Sequence, residues 1–217
     1  MLHDWRIEPA QYERHEQRRG RRHAFEALDP ARTALVVIDL VPFFVDENPY
    51  AAGIVPNVNR LATALRAAGG TVAWVVPADL PPPPVHVEFF GPRVAASYAN
   101  SGGHGDLRAR LAPTLRLADG DLFVEKSAAS AFFPGRCPLH DLLVDRGAEN
   151  VIVTGTVANV CCESTVRDAT TLGYRVVMVA DANAAARDED LNATLHTVYR
   201  SFGDVRPTDE VLGLLSA

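Results

Sequence analysis

Three side chains with reactive groups stand at the ends of apolar runs in this sequence. Asp39 and Lys126 each end such a run, and Cys161 follows a third run by a few residues. A carboxylate, an ammonium group and a thiol can act as the base, the cation and the nucleophile of covalent acyl transfer. Alone, each has an ordinary reading: Asp39 as a turn residue, Lys126 as a surface cation, Cys161 as a small buried hydrophobe. Their chemistry therefore depends on whether the fold brings them together.

The apolar runs are typical of buried strands, and stretches with helical spacing alternate with them. The predicted strands cover residues 33–39, 71–76, 121–126, 151–153 and 174–180, with a minimal edge strand at 204–206. This order predicts an α/β fold with three α/β/α layers around a doubly wound, mostly parallel, six-stranded sheet. Because ligands bind beyond the carboxyl ends of parallel strands, we expect Asp39, Lys126 and Cys161 to meet there.

Helices are predicted at residues 54–68, 138–146, from about 160, 188–202 and 208–215. Gly69 and Gly70 are a stop signal for the first, and Thr208 is the expected N-cap of the last. Cys161 would lie in the first turn of the third helix. Free backbone N–H groups and the helix dipole favour a thiolate at that position, so we interpret Cys161 as a nucleophile.

Residues 77 to about 105 contain four consecutive prolines, several aromatic residues and a Gly-Gly pair, without a clear periodicity. Long irregular stretches inside a compact domain are uncommon and are often lids, binding loops or subunit contacts. We expect this segment to carry substrate specificity or oligomer contacts.

The chain has 217 residues, a length that predicts one sizeable domain. Residues 1–28 contain six arginines nearly balanced by acidic residues, which predicts a solvated or partner-packed N-terminal arm. Asp29 and Pro30 mark the entry to the domain, which we place at residues 29–217. The composition, 47% hydrophobic and 22% charged, is ordinary for a globular protein with a packed core.

Composition also excludes several classes of partner and compartment. The net charge of −6 argues against nucleic-acid binding. An apolar run long enough to span a membrane is absent, and the N-terminus lacks the apolar core of a signal peptide. Three cysteines, two of them adjacent, suit a reducing compartment, and without a Cys-x-x-Cys pair they do not suggest zinc. We therefore predict a cytoplasmic protein with no nucleic-acid or membrane partner.

Residues 34–214 resemble the isochorismatase-like cysteine hydrolases. The resemblance rests on four ordered pieces at compatible separations: Leu35-Val-Val-Ile-Asp39; Glu125-Lys126 with Ser130-Ala-Phe132; Val153-Thr-Gly155 with Asn159-Val-Cys161 and Thr165-x-Arg-Asp-Ala169; and Gly173-Tyr-Arg-Val-Val177 with Asp181-Ala182. Four such pieces together are far more specific than any one of them.

The resemblance implies a catalytic triad of Asp39, Lys126 and Cys161. It also implies an oxyanion hole made by the backbone N–H groups of Val157 and Cys161, and a cis peptide bond between Thr156 and Val157. Relatives of this fold assemble as dimers or tetramers, so we expect a homodimer or homotetramer. The implied reaction is hydrolysis of a small-molecule substrate through a thioester.

Departures from the family pattern narrow the reaction. Residues 78–84 lack the Asp-x-His segment of metal-binding relatives, so we predict no metal and no other cofactor. Isochorismatases that cleave a vinyl ether typically have no cysteine at the position of Cys161, so a small amide, lactam, ureido or carbamoyl substrate is expected. Vinyl-ether hydrolysis and a catalytically silent binding protein remain the alternatives.

Candidate substrate contacts are mostly aromatic. Phe44, Phe132 and Phe133 can be core residues or a wall of the substrate pocket, and Asn159 can order the loop that carries the nucleophile. Val41 and Phe43 stand where many relatives have polar residues, which suggests a substrate with some nonpolar or planar surface. Cys137 and Cys162 are expected to pack in the core.

Overall fold

A computed structural model describes residues 1–215 as a single six-stranded sheet covered by helices. The strands are β1 (Thr33–Ile38), β2 (Thr71–Pro77), β3 (Leu122–Lys126), β4 (Asn150–Thr156), β5 (Arg175–Ala184) and β6 (Asp204–Arg206). They lie in the order β3-β2-β1-β4-β5-β6, and every neighbouring pair is parallel. The predicted α/β fold is confirmed, with a sheet that is entirely rather than mostly parallel.

Helices cover both faces of the sheet. In the described residues they are α1 (Pro9–Arg19), α2 (Pro42–Val45), α3 (Pro49–Ala67), α4 (Pro84–Phe90), α5 (Pro92–Ala99), α6 (Leu139–Asp145), α7 (Glu163–Thr171), α8 (Asp188–Ser201) and α9 (Thr208–Leu214). Strand side chains alternate between the two cores: Val36 packs on the face of α6, α7 and α8, whereas Val37 packs on the face of α3 and α9. None of these helices has the length and apolar character needed to cross a bilayer.

Helix α3 begins five residues earlier than the periodicity predicts. The Asn48 side chain accepts a hydrogen bond from the Tyr50 amide at 2.9 Å, which caps the helix, and Pro49 occupies its first turn. The helix also continues through Pro56. Local capping therefore extends this helix beyond its apolar stripe.

The interpretation of residues 77–105 as irregular is wrong, because α4 and α5 lie within it. Both helices begin at a proline, which suits the first helical turn since its N–H needs no partner there. Gly91, with φ of 79°, separates them. Helix α4 contributes no buried residue, and Phe89 is 79% exposed. The segment thus presents aromatic rings to solvent.

The N-terminal arm packs against the domain of its own chain. Ile7 and His15 are buried, and His15 Nε2 lies 3.0 Å from the carbonyl oxygen of Tyr199. His3 Nδ1 lies 2.6 Å from Asp188 Oδ1, and the Ala185 N–H donates to His3 Nε2. These contacts join the arm to both ends of α8.

The last helix is capped differently from the prediction. Pro207 is its N-cap, and Thr208 is its first helical residue. The amide and hydroxyl of Thr208 both donate to Asp181 Oδ1 at 2.7 Å, so a carboxylate of β5 caps this helix. Residues 216 and 217, the end of the predicted domain, lie outside the described residues.

Candidate active site

Asp39 directly follows β1 and has a left-handed backbone, with φ of 53°. Its N–H donates to the carbonyl of Val75 at 2.9 Å, and its carbonyl accepts from Val41 at 2.9 Å. A non-glycine residue in this conformation is strained by about 1 to 3 kcal/mol, although aspartate tolerates it better than most residues. The strained turn leaves the Asp39 side chain only 1% exposed.

Lys126 ends β3, and its ammonium group has three acceptors. Nζ lies 2.9 Å from Asp39 Oδ2, 3.4 Å from Cys161 Sγ and 3.3 Å from the carbonyl oxygen of Ala128. An ammonium group has three protons, so these contacts use its whole donor capacity. Burial alone would lower the pKa of Lys126, but the Asp39 carboxylate more than offsets that effect and raises the pKa above its ordinary value. The group is therefore a permanent cation at the centre of the site.

Cys161 lies in a π-helical turn, Ala158–Cys162, that precedes α7. The carbonyl oxygen of Val157 accepts from the N–H groups of Val160 and Cys162, at 3.0 and 3.3 Å. The helix predicted from about residue 160 is present, but its first residues form the π turn and the α-helix itself begins at Glu163. Wide π turns are rare and occur often at functional sites.

The electrostatics of Cys161 correct the expectation of a resting thiolate. Burial and the Asp39 carboxylate raise the pKa of its thiol, Lys126 opposes them, and together they bring that pKa to about 12. Burial also raises the pKa of Asp39, against the lowering effect of Lys126. The helix terminus does not overcome desolvation, so the free site favours a thiol at Cys161, next to the 2.9 Å contact between Lys126 Nζ and Asp39 Oδ2.

One side-chain oxygen and one backbone N–H group at the site have no hydrogen-bond partner within residues 1–215. Asp39 Oδ1 is buried and accepts no hydrogen bond of ordinary geometry, and the Val157 N–H donates none. The peptide bond between Thr156 and Val157 is cis. An open acceptor and an open donor therefore border the turn that carries the thiol.

Close packing of β1 against β4 sets the positions of Asp39 and Cys161 relative to each other. Gly155 has φ of 122°, and a Cβ atom there would lie 2.1 Å from the carbonyl oxygen of Ile38. Only glycine fits, because both the conformation and the space exclude a side chain. Ile38 precedes Asp39, so this contact is one residue away from the carboxylate.

The four candidate substrate contacts lie in different environments. Phe132 is 2% exposed and its ring lies 5.3 Å from that of Tyr174, so it is a core residue rather than a pocket wall. Phe133 is 52% exposed. Phe44 is half-buried against Phe43 with ring centroids 4.9 Å apart, and Asn159 is exposed.

The other two cysteines, Cys137 and Cys162, lie wholly or partly inside the protein. Cys162 is fully buried in the core, and Cys137 is half-buried. Burial raises the pKa of the Cys137 thiol to about 11. In the part of the chain that the structure describes, His, Cys, Asp and Glu side chains form no group of three suited to a metal ion.

Two contacts of the site are not foreseen from the sequence. The carbonyl of Ala128 is an acceptor for Lys126, and the fully buried Thr165 donates through Oγ1 to the carbonyl of Cys161 at 2.7 Å. A backbone carbonyl leaves no trace in a sequence. Thr165 does leave one, because a threonine four residues after a nucleophile on a helix can reach back to its carbonyl.

Comparison with known proteins places the chain in a family. The isochorismatase domain matches residues 33–210. The chain is 30% identical to the ureidoacrylate amidohydrolase RutB of Methylobacterium radiotolerans, over 88% of this chain and 83% of that protein. A cysteine hydrolase from Pseudomonas syringae pv. phaseolicola superposes with a TM-score of 0.77 at 28% identity, over 89% of this chain and 97% of the other. N-carbamoylsarcosine amidase from Thermoplasma acidophilum superposes with a TM-score of 0.68 at 27% identity, over 82% of this chain and 97% of the other. The resemblance is confirmed: this chain belongs to the isochorismatase family.

Proposed function

We propose that this protein is a cysteine hydrolase that cleaves a C–N bond of a small amide, lactam, ureido or carbamoyl compound without a metal or other cofactor. The single observation that carries the proposal is the position of Lys126 Nζ, 2.9 Å from Asp39 Oδ2 and 3.4 Å from Cys161 Sγ. The names of the relatives support the same class of bond, since a ureidoacrylate amidohydrolase and an N-carbamoylsarcosine amidase are among them.

In the first step, Asp39 Oδ1 takes the proton of the Cys161 thiol as the sulfur attacks the substrate carbonyl. The sulfur electron pair forms the C–S bond, and the π electrons of the carbonyl move onto its oxygen. The N–H groups of Val157 and Cys161 stabilise that oxyanion. Lys126 keeps its proton, because the neighbouring negative groups raise its pKa, and it compensates the charge that the sulfur develops.

The tetrahedral intermediate then collapses. The C–N bond breaks, the leaving nitrogen takes the proton from Asp39, and an amine or ammonia departs from a thioester. Asp39 next removes a proton from water, the hydroxide adds to the thioester carbon, and the C–S bond breaks. The proton returns to the sulfur and restores the thiol, so one water is consumed for each acid and amine released.

The surroundings suggest the character of the substrate. Phe43 and Phe44 follow Asp39 at the same edge of the sheet and form an edge-to-face pair. Such rings favour a substrate with a nonpolar or planar part beside the scissile carbonyl. The exposed Phe133 and Asn159 are further candidates for its contacts.

A screen of amides, ureas, carbamoyl compounds and lactams for released amine tests this function. With a substrate in hand, Cys161→Ala is expected to abolish turnover, whereas the matched control Cys137→Ala is expected to keep it. Full activity in Cys161→Ala would refute the covalent mechanism. A pyruvate-type product without amine would instead indicate vinyl-ether hydrolysis, and no turnover of any compound would favour a silent binding protein.

A further inference from the structure

We propose that Thr165 is a positioning residue of this site, whose hydroxyl couples the backbone of Cys161 to the segment that holds the Lys126 ammonium. The proposal rests on the function proposed above. It assigns no contact with substrate to Thr165, which acts through Cys161 and Lys126.

The hydroxyl of Thr165 makes two hydrogen bonds of fixed direction. It donates to the carbonyl oxygen of Cys161 at 2.7 Å and accepts from the N–H of Ala131 at 3.1 Å. A carbonyl can only accept and an amide can only donate, so the hydroxyl cannot reverse its role. Thr165 is fully buried, and water therefore cannot replace either bond without a rearrangement.

Ala131 belongs to a segment, residues 127–136, that is closed on itself. The Ser127 N–H donates to the carbonyl of Arg136 at 2.9 Å. The Arg136 guanidinium donates hydrogen bonds to the hydroxyl and the carbonyl of Ser127, at 2.8 and 2.7 Å. The segment follows Lys126 directly, and its Ala128 carbonyl accepts from Lys126 Nζ at 3.3 Å. A movement of this segment therefore displaces an acceptor of the ammonium group.

These contacts form a ring. The Thr165 hydroxyl links the carbonyl of Cys161 to the N–H of Ala131. The chain connects Ala131 to Ala128, whose carbonyl accepts from Lys126 Nζ. The ring closes where Lys126 Nζ lies 3.4 Å from Cys161 Sγ. The Thr165 hydroxyl is the one side-chain link of this ring that lies outside the triad. Its removal frees the 127–136 segment relative to the nucleophile and loosens the sulfur–ammonium contact.

Thr165→Val tests the link, because valine keeps the shape of threonine and removes the hydroxyl. Thr170→Val is the matched control. Thr170 lies on the same helix, and its Oγ1 also contacts two backbone carbonyls, those of Val166 at 2.9 Å and Phe202 at 2.7 Å, but neither belongs to the site. Thr165→Val loses one donated and one accepted hydrogen bond, and Thr170→Val loses one donor that two carbonyls share, so both are expected to lower the melting temperature.

The distinguishing readout is the rate at which iodoacetamide alkylates Cys161, followed by peptide mass spectrometry from pH 7 to 11. Thr165→Val is expected to react about tenfold more slowly, with its pH profile displaced to higher pH, because a small misplacement of a supporting group can weaken a site by one to two orders of magnitude. Thr170→Val is expected to react like the wild type. A rate in Thr165→Val equal to or above that of the wild type would overturn the proposal.

If Thr165→Val does not fold, Thr165→Ser and Thr165→Ala carry the same comparison, since both lack the methyl group and only serine keeps the hydroxyl. Serine at the wild-type rate and alanine about tenfold slower supports the proposal, and equal rates refute it. The measurement needs no substrate. It is therefore separate from the amine-release assay of Cys161→Ala, and failure of either leaves the other result readable.

Discussion

Lys126 and Asp39 form an ion pair of 2.9 Å in which both side chains are almost fully buried. Removing one partner of such a pair leaves an uncompensated buried charge, which typically destabilises a protein by about 3 to 5 kcal/mol. Lys126→Met is expected to lose stability of this order in urea unfolding. The double variant Asp39→Asn with Lys126→Met is expected to recover most of it and to remain inactive.

The exposed pair of Arg60 and Asp209, at 2.6 Å, is the control for that experiment. Because surface pairs contribute about 0 to 1 kcal/mol, Arg60→Met should unfold almost like the wild type. A Lys126→Met variant as stable as Arg60→Met would contradict the burial of the ion pair.

Asp39→Asn is expected to change the two reactions of Cys161 in opposite directions. The Asp39 carboxylate raises the pKa of the thiol, so its neutralisation lowers that pKa and speeds alkylation by iodoacetamide at pH 8 to 9. Hydrolysis should be lost, because the amide cannot take the proton. Slower alkylation together with lost hydrolysis would indicate a collapsed site instead.

The same thiol predicts a loss of stability in alkaline solution. Its pKa is about 12 in the folded chain, compared with an ordinary value of 9.0. Between these values the unfolded chain releases the proton and the folded chain keeps it, so stability falls as pH rises above about 9. Unfolding of Cys161→Ala and wild type at pH 8 and pH 10.5 measures this, and a fall that is the same in both would exclude the thiol as its cause.

Gly155→Ala is expected to damage the site and the fold together. A Cβ at Gly155 would overlap the Ile38 carbonyl at 2.1 Å, so β1 must shift next to Asp39. Overpacking and an unfavourable φ together predict a loss above about 3 kcal/mol and a strong fall in activity. Gly147→Ala is the control, with φ of 69° and open space around it, and should lose about 1 kcal/mol with activity retained. Equal effects would refute the close contact.

The exposed aromatic residues of α4 and α5 predict association of this chain with copies of itself. Phe89, Phe90 and Tyr98 are 79%, 42% and 49% exposed, and contiguous apolar patches of this kind usually mark interfaces. Sedimentation at micromolar concentration is expected to show a dimer or tetramer that Phe89→Ser weakens. Val144→Ser, at a 56% exposed residue of α6, should leave it intact. A monomeric wild type would contradict this prediction.

The strand ends were accessible from sequence because buried parallel strands leave apolar runs that stop at a polar residue. Asp39 and Lys126 mark those stops, and the parallel sheet then brings them to one edge. The π turn at Cys161 was not accessible, because its extra residue depends on how β4 enters the turn. The sequence also predicted a thiolate at Cys161, whereas burial raises the pKa of this thiol. Burial is a property of the tertiary structure, so the local sequence does not report it.

Helices α1 and α4 were missed for a related reason. Neither has the apolar stripe of a helix packed on a core: α1 buries His15 through a hydrogen bond, and α4 buries nothing. The fold of the arm depends on His3 and Asp188, which are 185 positions apart. Local patterns do not report such pairs.

The ammonium group of Lys126 is carried by an edge strand of the sheet. Lys126 belongs to β3, which pairs with β2 alone, whereas the carboxylate and the sulfur follow the interior strands β1 and β4. Border strands open at lower free energy than central ones. Mild heating or dilute urea should therefore abolish turnover before most of the helices and strands unfold. The protection of the β3 amides from hydrogen exchange should decrease together with activity.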